Sequence, residues 1–190
     1  MKKNLNKSQV ERFSRQLILK DIGAKGQKKI LSSKILIVGV GGLGCPAAES
    51  LVRAGVGTIG LIDNDIINLS NIHRQSLFNS NDVKKSKVSI AAKKLKKINP
   101  LTKIKTYKLR LNQKNIKKII KNYEIIIDGS DNFETKFLIN EYCIKLQKKL
   151  ISGAISKFDG HIFTFDFKDK KTASLKSFYQ EKEISDDFLN

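Results

Sequence analysis

The chain has 190 residues, 40% of them hydrophobic and only two of them proline, which suits one well-buried domain over 1–190 and leaves no linker between two. Its net charge of +19 arises from 37 basic and 18 acidic residues, but the lysines are scattered over helical stretches such as KKLKK (93–97) and NIKKIIKN (115–122) with few aromatics between them, so solvated helix faces are expected and a nucleic-acid partner is not. No apolar run approaches the length of a bilayer crossing and the basic start MKKNLNKSQVERF has no apolar segment behind it, which speaks against a membrane partner or signal peptide and makes a cytoplasmic location the expectation.

In chain order, Gln9 to Ile22 reads as one amphipathic helix with Val10, Phe13, Leu17 and Ile18 on a shared face, and a short helix follows over Lys25 to Leu31. KILIVG (34–39) is a compact apolar strand running into glycines, and Pro46 fits the first turn of a helix that reaches about Ala54. TIGLID (58–63) is the next strand. After a polar loop come a helix in VSIAAKKLKKI that stops at Asn99-Pro100, a strand from Lys103, a helix in NQKNIKKIIKN and a buried strand EIIID (124–128). A helix in NFETKFLINEYCIKLQ and the strand LISGA (150–154) complete the alternation. HIFTFDF (161–167) is an added strand, antiparallel and at an edge, reached through a turn at Asp159-Gly160. The expected fold is α/β: a Rossmann-like, mostly parallel sheet with helices on both faces, made of N-terminal helices (1–33), a core (34–167) and a tail (168–190).

Gly39, Gly41 and Gly44 satisfy GxGxxG in the context that gives the pattern meaning, directly after a strand and at the start of a helix. Glycines let the backbone turn and approach a phosphate, and the helix start offers free N–H groups. Asp63 ends the next strand about 20 residues on, where an acid can accept from ribose hydroxyls. The fingerprint serves a nicotinamide dinucleotide or ATP equally well. The residues beyond Asp63 favour ATP, because Arg74, beside Gln75, and Lys87 are cations for a polyphosphate and Asp131 is an acid for Mg²⁺, rather than a hydride-transfer site. Only five of the 37 basic residues are arginine, so Arg15 and Arg74 stand out in a chain that otherwise uses lysine. Asp131 and Glu134 also spell a helix capping box, and Arg74 has Asp63 and Asp65 as possible ion-pair partners. His73 reads as a loop residue. Cys45 and Cys143, isolated among apolar neighbours, read as core residues.

These pieces resemble the ThiF/MoeB/HesA family, bacterial relatives of ubiquitin-activating enzymes. The resemblance rests on RFSRQ (12–16), GVGGLG (39–44), AGVGTIGLID (54–63), LSNIHRQ (69–75), KSKV (85–88), INP (98–100), DGSDNF (128–133) and the turn region from Gly153 to Gly160. It implies an adenylyltransferase, a homodimer, that uses ATP and Mg²⁺ to activate the C-terminal Gly-Gly carboxylate of a ubiquitin-like sulfur-carrier protein in thiamine, molybdopterin or related sulfur transfer. By matched position, Gly39, Gly41, Gly42 and Gly44 meet the nucleotide and Asp63 the ribose, while Ser70, Asn71, Arg74 and Lys87 line the phosphate path. Asp131 holds the metal, and Arg15 reaches from one subunit into its partner's site.

Two departures qualify what the resemblance implies. Ser174 and Ser177 stand at the spacing of a family zinc pair, and serine is not a usual zinc ligand, so no zinc site is expected. The sequence ends at Asn190, about where a cysteine-bearing crossover loop is expected, which implies either further chain or a shortened form. The alternative reading is therefore a non-catalytic module that holds nucleotide or dimerises, with a nicotinamide oxidoreductase behind it.

Overall fold

The computed structural model describes residues 4–169 and 171–179. Three short helices come first: α1 (Lys7–Arg12), α2 (Ser14–Leu17) and α3 (Gly23–Ser32). The core then alternates β1 (Lys34–Val38), α4 (Gly44–Ala54), β2 (Thr58–Ile62), α5 (Lys87–Ile98), β3 (Lys103–Tyr107), α6 (Ile116–Ile120), β4 (Ile125–Asp128) and α7 (Phe133–Lys145). It ends with β5 (Lys149–Ser156) and β6 (Asp159–Asp166). The six strands lie in the order β3-β2-β1-β4-β5-β6, all parallel except β6, which pairs antiparallel with β5 and forms an edge. The Rossmann-like α/β expectation holds.

Strand alternation sorts the core into two layers. Ile35 and Ile37 of β1, with Ile59 and Leu61 of β2, face a layer closed by Ala48 and Val52 of α4 and Val88, Ala91 and Leu95 of α5. Leu36 and Val38 face the other layer, with Ile116 and Ile120 of α6 and Ile139 and Cys143 of α7. Gly60 is required on that second side: a Cβ there would stand 2.4 Å from the Tyr123 hydroxyl and 2.7 Å from Leu36 Cδ1. No helix among the described residues is long and apolar enough to cross a membrane.

Three local expectations give way to packing. The continuous helix over Gln9 to Ile22 is broken at Phe13, whose φ of −104° and ψ of 15° cap α1 and open α2. Phe13 is buried because its ring lies over Gly55, Cζ 2.5 Å from where a Cβ would project, while Ile18 stays 72% exposed. Gly55 is itself left-handed at φ +92° and closes α4. Helix α6 keeps only five residues, because Asn112 and Asn115 form a side-chain-capped turn in its place: Asn112 Oδ1 accepts from Lys114 N–H at 3.0 Å and Asn115 Oδ1 from Asn112 N–H at 3.0 Å. The hairpin into β6 turns at Lys157-Phe158 rather than Asp159-Gly160, with Lys157 at φ +53° and Ser156 paired to Asp159.

Candidate nucleotide-binding cleft

Strand order reverses between β1 and β4, and the two connections leaving those strands diverge to open a crevice at the carboxyl end of the sheet. A cleft of about 820 Å³ occupies that position. Its floor is the glycine loop. Gly39 takes φ +85°, and a Cβ on it would meet the Gly129 carbonyl oxygen at 2.6 Å, so the β1 and β4 loops touch there. Gly41 and Gly42 line the cleft, where the nearest atoms to an added Cβ are Gln75 Nε2 at 3.7 Å and Arg74 Cγ at 3.6 Å. Gly44 lies behind the loop: a Cβ would fall 1.9 Å from the Gly39 carbonyl oxygen, so this glycine packs α4 onto the loop and does not face the cleft.

Asp63 fixes the shape of the floor. Its Oδ2 accepts from Val40 N–H and its Oδ1 from Asp65 N–H, both at 2.8 Å, which ties the end of β2 to the glycine turn. Each oxygen keeps a lone pair for a ligand hydroxyl. Lys87, the first residue of α5, is buried and donates to Asp65 Oδ2 at 2.8 Å. Arg74 is exposed over Gly42, and its Nη1 donates to the Ser70 carbonyl at 3.1 Å and lies 2.7 Å from His73 Nε2. The acid that takes a cation at the end of β2 is thus Asp65, through Lys87, and Arg74 pairs with neither Asp63 nor Asp65 among its described contacts. Asn71 lines the cleft and also caps the preceding 3-10 turn, Oδ1 accepting from Asn68 N–H at 3.2 Å.

Asp131 stands exposed on the wall after β4. The capping-box expectation for it is corrected: Asn132 is the N-cap of α7, its Oδ1 accepting from Thr135 N–H at 2.9 Å, and Glu134 reaches Arg110 instead. That leaves the Asp131 carboxylate, among the described residues, with one hydrogen bond, from Asn132 Nδ2 at 3.3 Å. Among the described residues no three His, Cys, Asp or Glu side chains converge on one point. An exposed carboxylate on the wall of this polar cleft fits Mg²⁺, which completes its octahedron with water and phosphate oxygens, and does not fit a closed four-ligand zinc site. Gln75 adds a second sign that a ligand belongs here, since it is buried against the glycine loop with its Oε1 lacking a described partner.

The structure thus gathers Gly39, Gly41, Gly42, Asp63, Asn71, Arg74, Lys87 and Asp131 around one cleft. It does not bring in Ser70, which contributes only its carbonyl to Arg74, or Gly44. Arg15 lies at the other end of the molecule. Its helix α2 is anchored by Gln16 Nε2 on the Ala54 carbonyl, at the carboxyl end of α4, and the preceding α1 by Arg12 Nη1 on the Ile98 carbonyl, at the carboxyl end of α5.

Sequence reasoning missed a buried network beneath Asp131. Asp128 and Lys136 are 1% and 4% exposed and pair at 3.1 Å. The signal was available in α7, where Lys136 shares the buried stripe of Ile139, Asn140 and Cys143 at helical spacing, a place where a lysine is out of character. The two thiols are withdrawn from chemistry, because burial pushes Cys45 up to about 11 and Cys143 up to about 12.

A mostly parallel sheet with a glycine turn, an acid-pinned floor and charged walls at its switch point defines a Rossmann-like α/β protein with a polar cleft. The chain belongs to the ThiF family, whose sequence model matches residues 13–188. It is 40% identical over 159 residues to a sulfur carrier protein adenylyltransferase of Thermus thermophilus, covering 84% of this chain and 59% of that protein. It is likewise 40% identical over 163 residues to the adenylyltransferase and sulfurtransferase MOCS3 of Dictyostelium discoideum, covering 86% and 38%. The fold matches the Escherichia coli tRNA N6-threonylcarbamoyladenosine dehydratase TcdA in complex with ATP, with a TM-score of 0.76, 27% identity and coverage of 81% of this chain and 64% of that one. The chain spans about half the length of the curated relatives it matches.

Proposed function

We propose that this chain binds ATP with Mg²⁺ in the cleft and adenylates the C-terminal carboxylate of a small sulfur-carrier protein. The observation that carries the reading is the convergence of glycine loop, Asp63, Arg74, Lys87 and Asp131 on one opening at the carboxyl end of the sheet. The names of its relatives, which act on sulfur carriers, support the same direction.

In this reading the carrier carboxylate attacks the α-phosphorus of ATP, the bond to the β-phosphate oxygen breaks, and pyrophosphate departs to leave an acyl-adenylate. The amides of Gly41 and Gly42 approach the phosphates without a side chain in the way. Asp63 accepts from the ribose hydroxyls while it holds the Val40 turn. Arg74 and Lys87 stabilise charge on the leaving pyrophosphate, Lys87 sharing its protons between Asp65 and phosphate oxygen. Asp131 is the residue that would hold Mg²⁺, which when bound neutralises phosphate charge. Arg15 serves only in trans: a second copy, covering the exposed Ile18 and Leu19 beside it, would deliver the guanidinium to the partner's cleft.

The test is carrier-dependent exchange of pyrophosphate into ATP. Asp131→Ala and Arg74→Ala each lower exchange by about 100-fold or more. Normal exchange in either variant removes that residue from the mechanism. A second reading is a module that holds nucleotide without catalysis. ATP binding with no exchange selects it.

A further inference from the structure

We propose that Lys136 is a positioning residue that sets the Asp131 carboxylate in the cleft by clamping Asp128 beneath it. The proposal rests on the Mg·ATP reading above and assigns the buried pair a role in it. Asp128 ends β4 and uses both carboxylate oxygens fully. Oδ1 accepts from Ser130 N–H at 3.0 Å and Ser130 Oγ at 2.5 Å, and Oδ2 accepts from Ser152 Oγ at 2.7 Å and Lys136 Nζ at 3.1 Å. Lys136 Nζ also donates to the Gly153 carbonyl at 2.6 Å. One ion pair therefore joins the end of β4, the first turns of α7 and the middle of β5, three segments that all border the cleft.

The loop carrying Asp131 is held on both sides by this arrangement. Upstream, Ser130 is locked to Asp128; downstream, Asn132 caps α7, the helix that carries Lys136. Gly129 between them packs against Gly39 of the glycine turn. Asp131 is left as the exposed member of a short, doubly anchored segment, so its direction follows from the anchors.

Stability alone is a weak reason for such a pair. Burying two charges costs desolvation that their attraction only roughly repays, and apolar replacements are often as stable. The pair does supply a fixed backbone path under an acid that must meet a metal held by few protein ligands, where a shift of about 1 Å matters.

The experiment compares the full chain with Lys136→Arg, Asp128→Asn/Lys136→Met and Asp131→Ala, measuring ATP affinity by calorimetry with Mg²⁺ and with EDTA, and folding by circular dichroism. The double variant removes both charges together, so no buried ion is left unpaired. Expected is ATP affinity in EDTA within about twofold of the parent chain, with the Mg²⁺-dependent tightening reduced by about fivefold or more. Lys136→Arg retains the tightening. Adding Asp131→Ala to the double variant changes little further, because both act through the same carboxylate. The proposal is overturned if the double variant keeps the full Mg²⁺ effect, if it loses affinity equally with and without Mg²⁺, if Lys136→Arg behaves like the double variant, or if the Asp131 effect is additive. A parent chain that binds no Mg·ATP removes the nucleotide reading itself and this role with it, an outcome distinct from a parent that binds while the double variant is unchanged.

Discussion

Removing the Asp63 carboxylate should cost stability before it costs any chemistry. The carboxylate accepts from Val40 N–H and Asp65 N–H at 2.8 Å each, but the two are not equal in consequence. Val40 is 0% exposed, so its amide has no water to turn to once the acceptor is gone; Asp65 is exposed and its amide does. A hydrogen bond to a charged group contributes about 1.5–3 kcal/mol, and only the Val40 bond is lost without replacement, so Asp63→Ala should destabilise the fold by about 2 kcal/mol. For a chain of this length that lowers Tm by roughly 4–8 °C, readable by thermal circular dichroism without any ligand. Asp63→Asn keeps one carbonyl acceptor and should fall between. ATP affinity in Asp63→Ala should drop further than stability predicts if Asp63 makes the ribose contacts proposed above. A Tm within about 1 °C of the parent chain would refute the claim that Asp63 pins the floor of the cleft.

Three more expectations test the packing and the electrostatics. Gly60→Ala places a methyl 2.4 Å from the Tyr123 hydroxyl, and overpacking of this kind should cost about 1–3 kcal/mol in a denaturant melt; an unchanged midpoint would show that β2 shifts freely. Cys45 and Cys143, pushed up to about 11 and about 12 by burial, should stay unreacted with a thiol reagent at neutral pH until denaturant is added, and rapid labelling of the native protein would contradict their placement in the core. Burial works to raise the Asp82 carboxyl, yet the Lys94 ammonium and the Asn79 N–H together hold it below the usual 3.8. A depressed acid contributes stability above its unfolded value and loses it as pH falls through the folded one, so the gap between the parent chain and Asp82→Asn should be full at neutral pH and shrink below 3.8. A gap that persists in acid would mean the loop from Asn79 to Asp82 is held by something other than this charge.

What the sequence by itself determined was everything encoded over short, contiguous distances. Alternating apolar runs gave the layers, and the strand, glycine turn and helix start of 34–54 form one uninterrupted unit, so the floor of the cleft and its acid at Asp63 were legible from spacing. Tertiary structure decided each question with more than one local answer. Spacing paired Asp131 with Glu134 as a capping box, but the fold gave the cap to Asn132 and left Asp131 on the cleft wall. The cation for Asp65 proved to be Lys87 from 22 residues away rather than the neighbouring Arg74. The helix expected over Gln9 to Ile22 broke because Phe13 found Gly55, and the pairing of Lys136 with Asp128 and Gly153 exists only once α7 lies across β4 and β5. Periodicity reports which face of an element is apolar, but a polar side chain chooses its partner by distance in the folded chain, and that distance is set by the packing of the whole sheet.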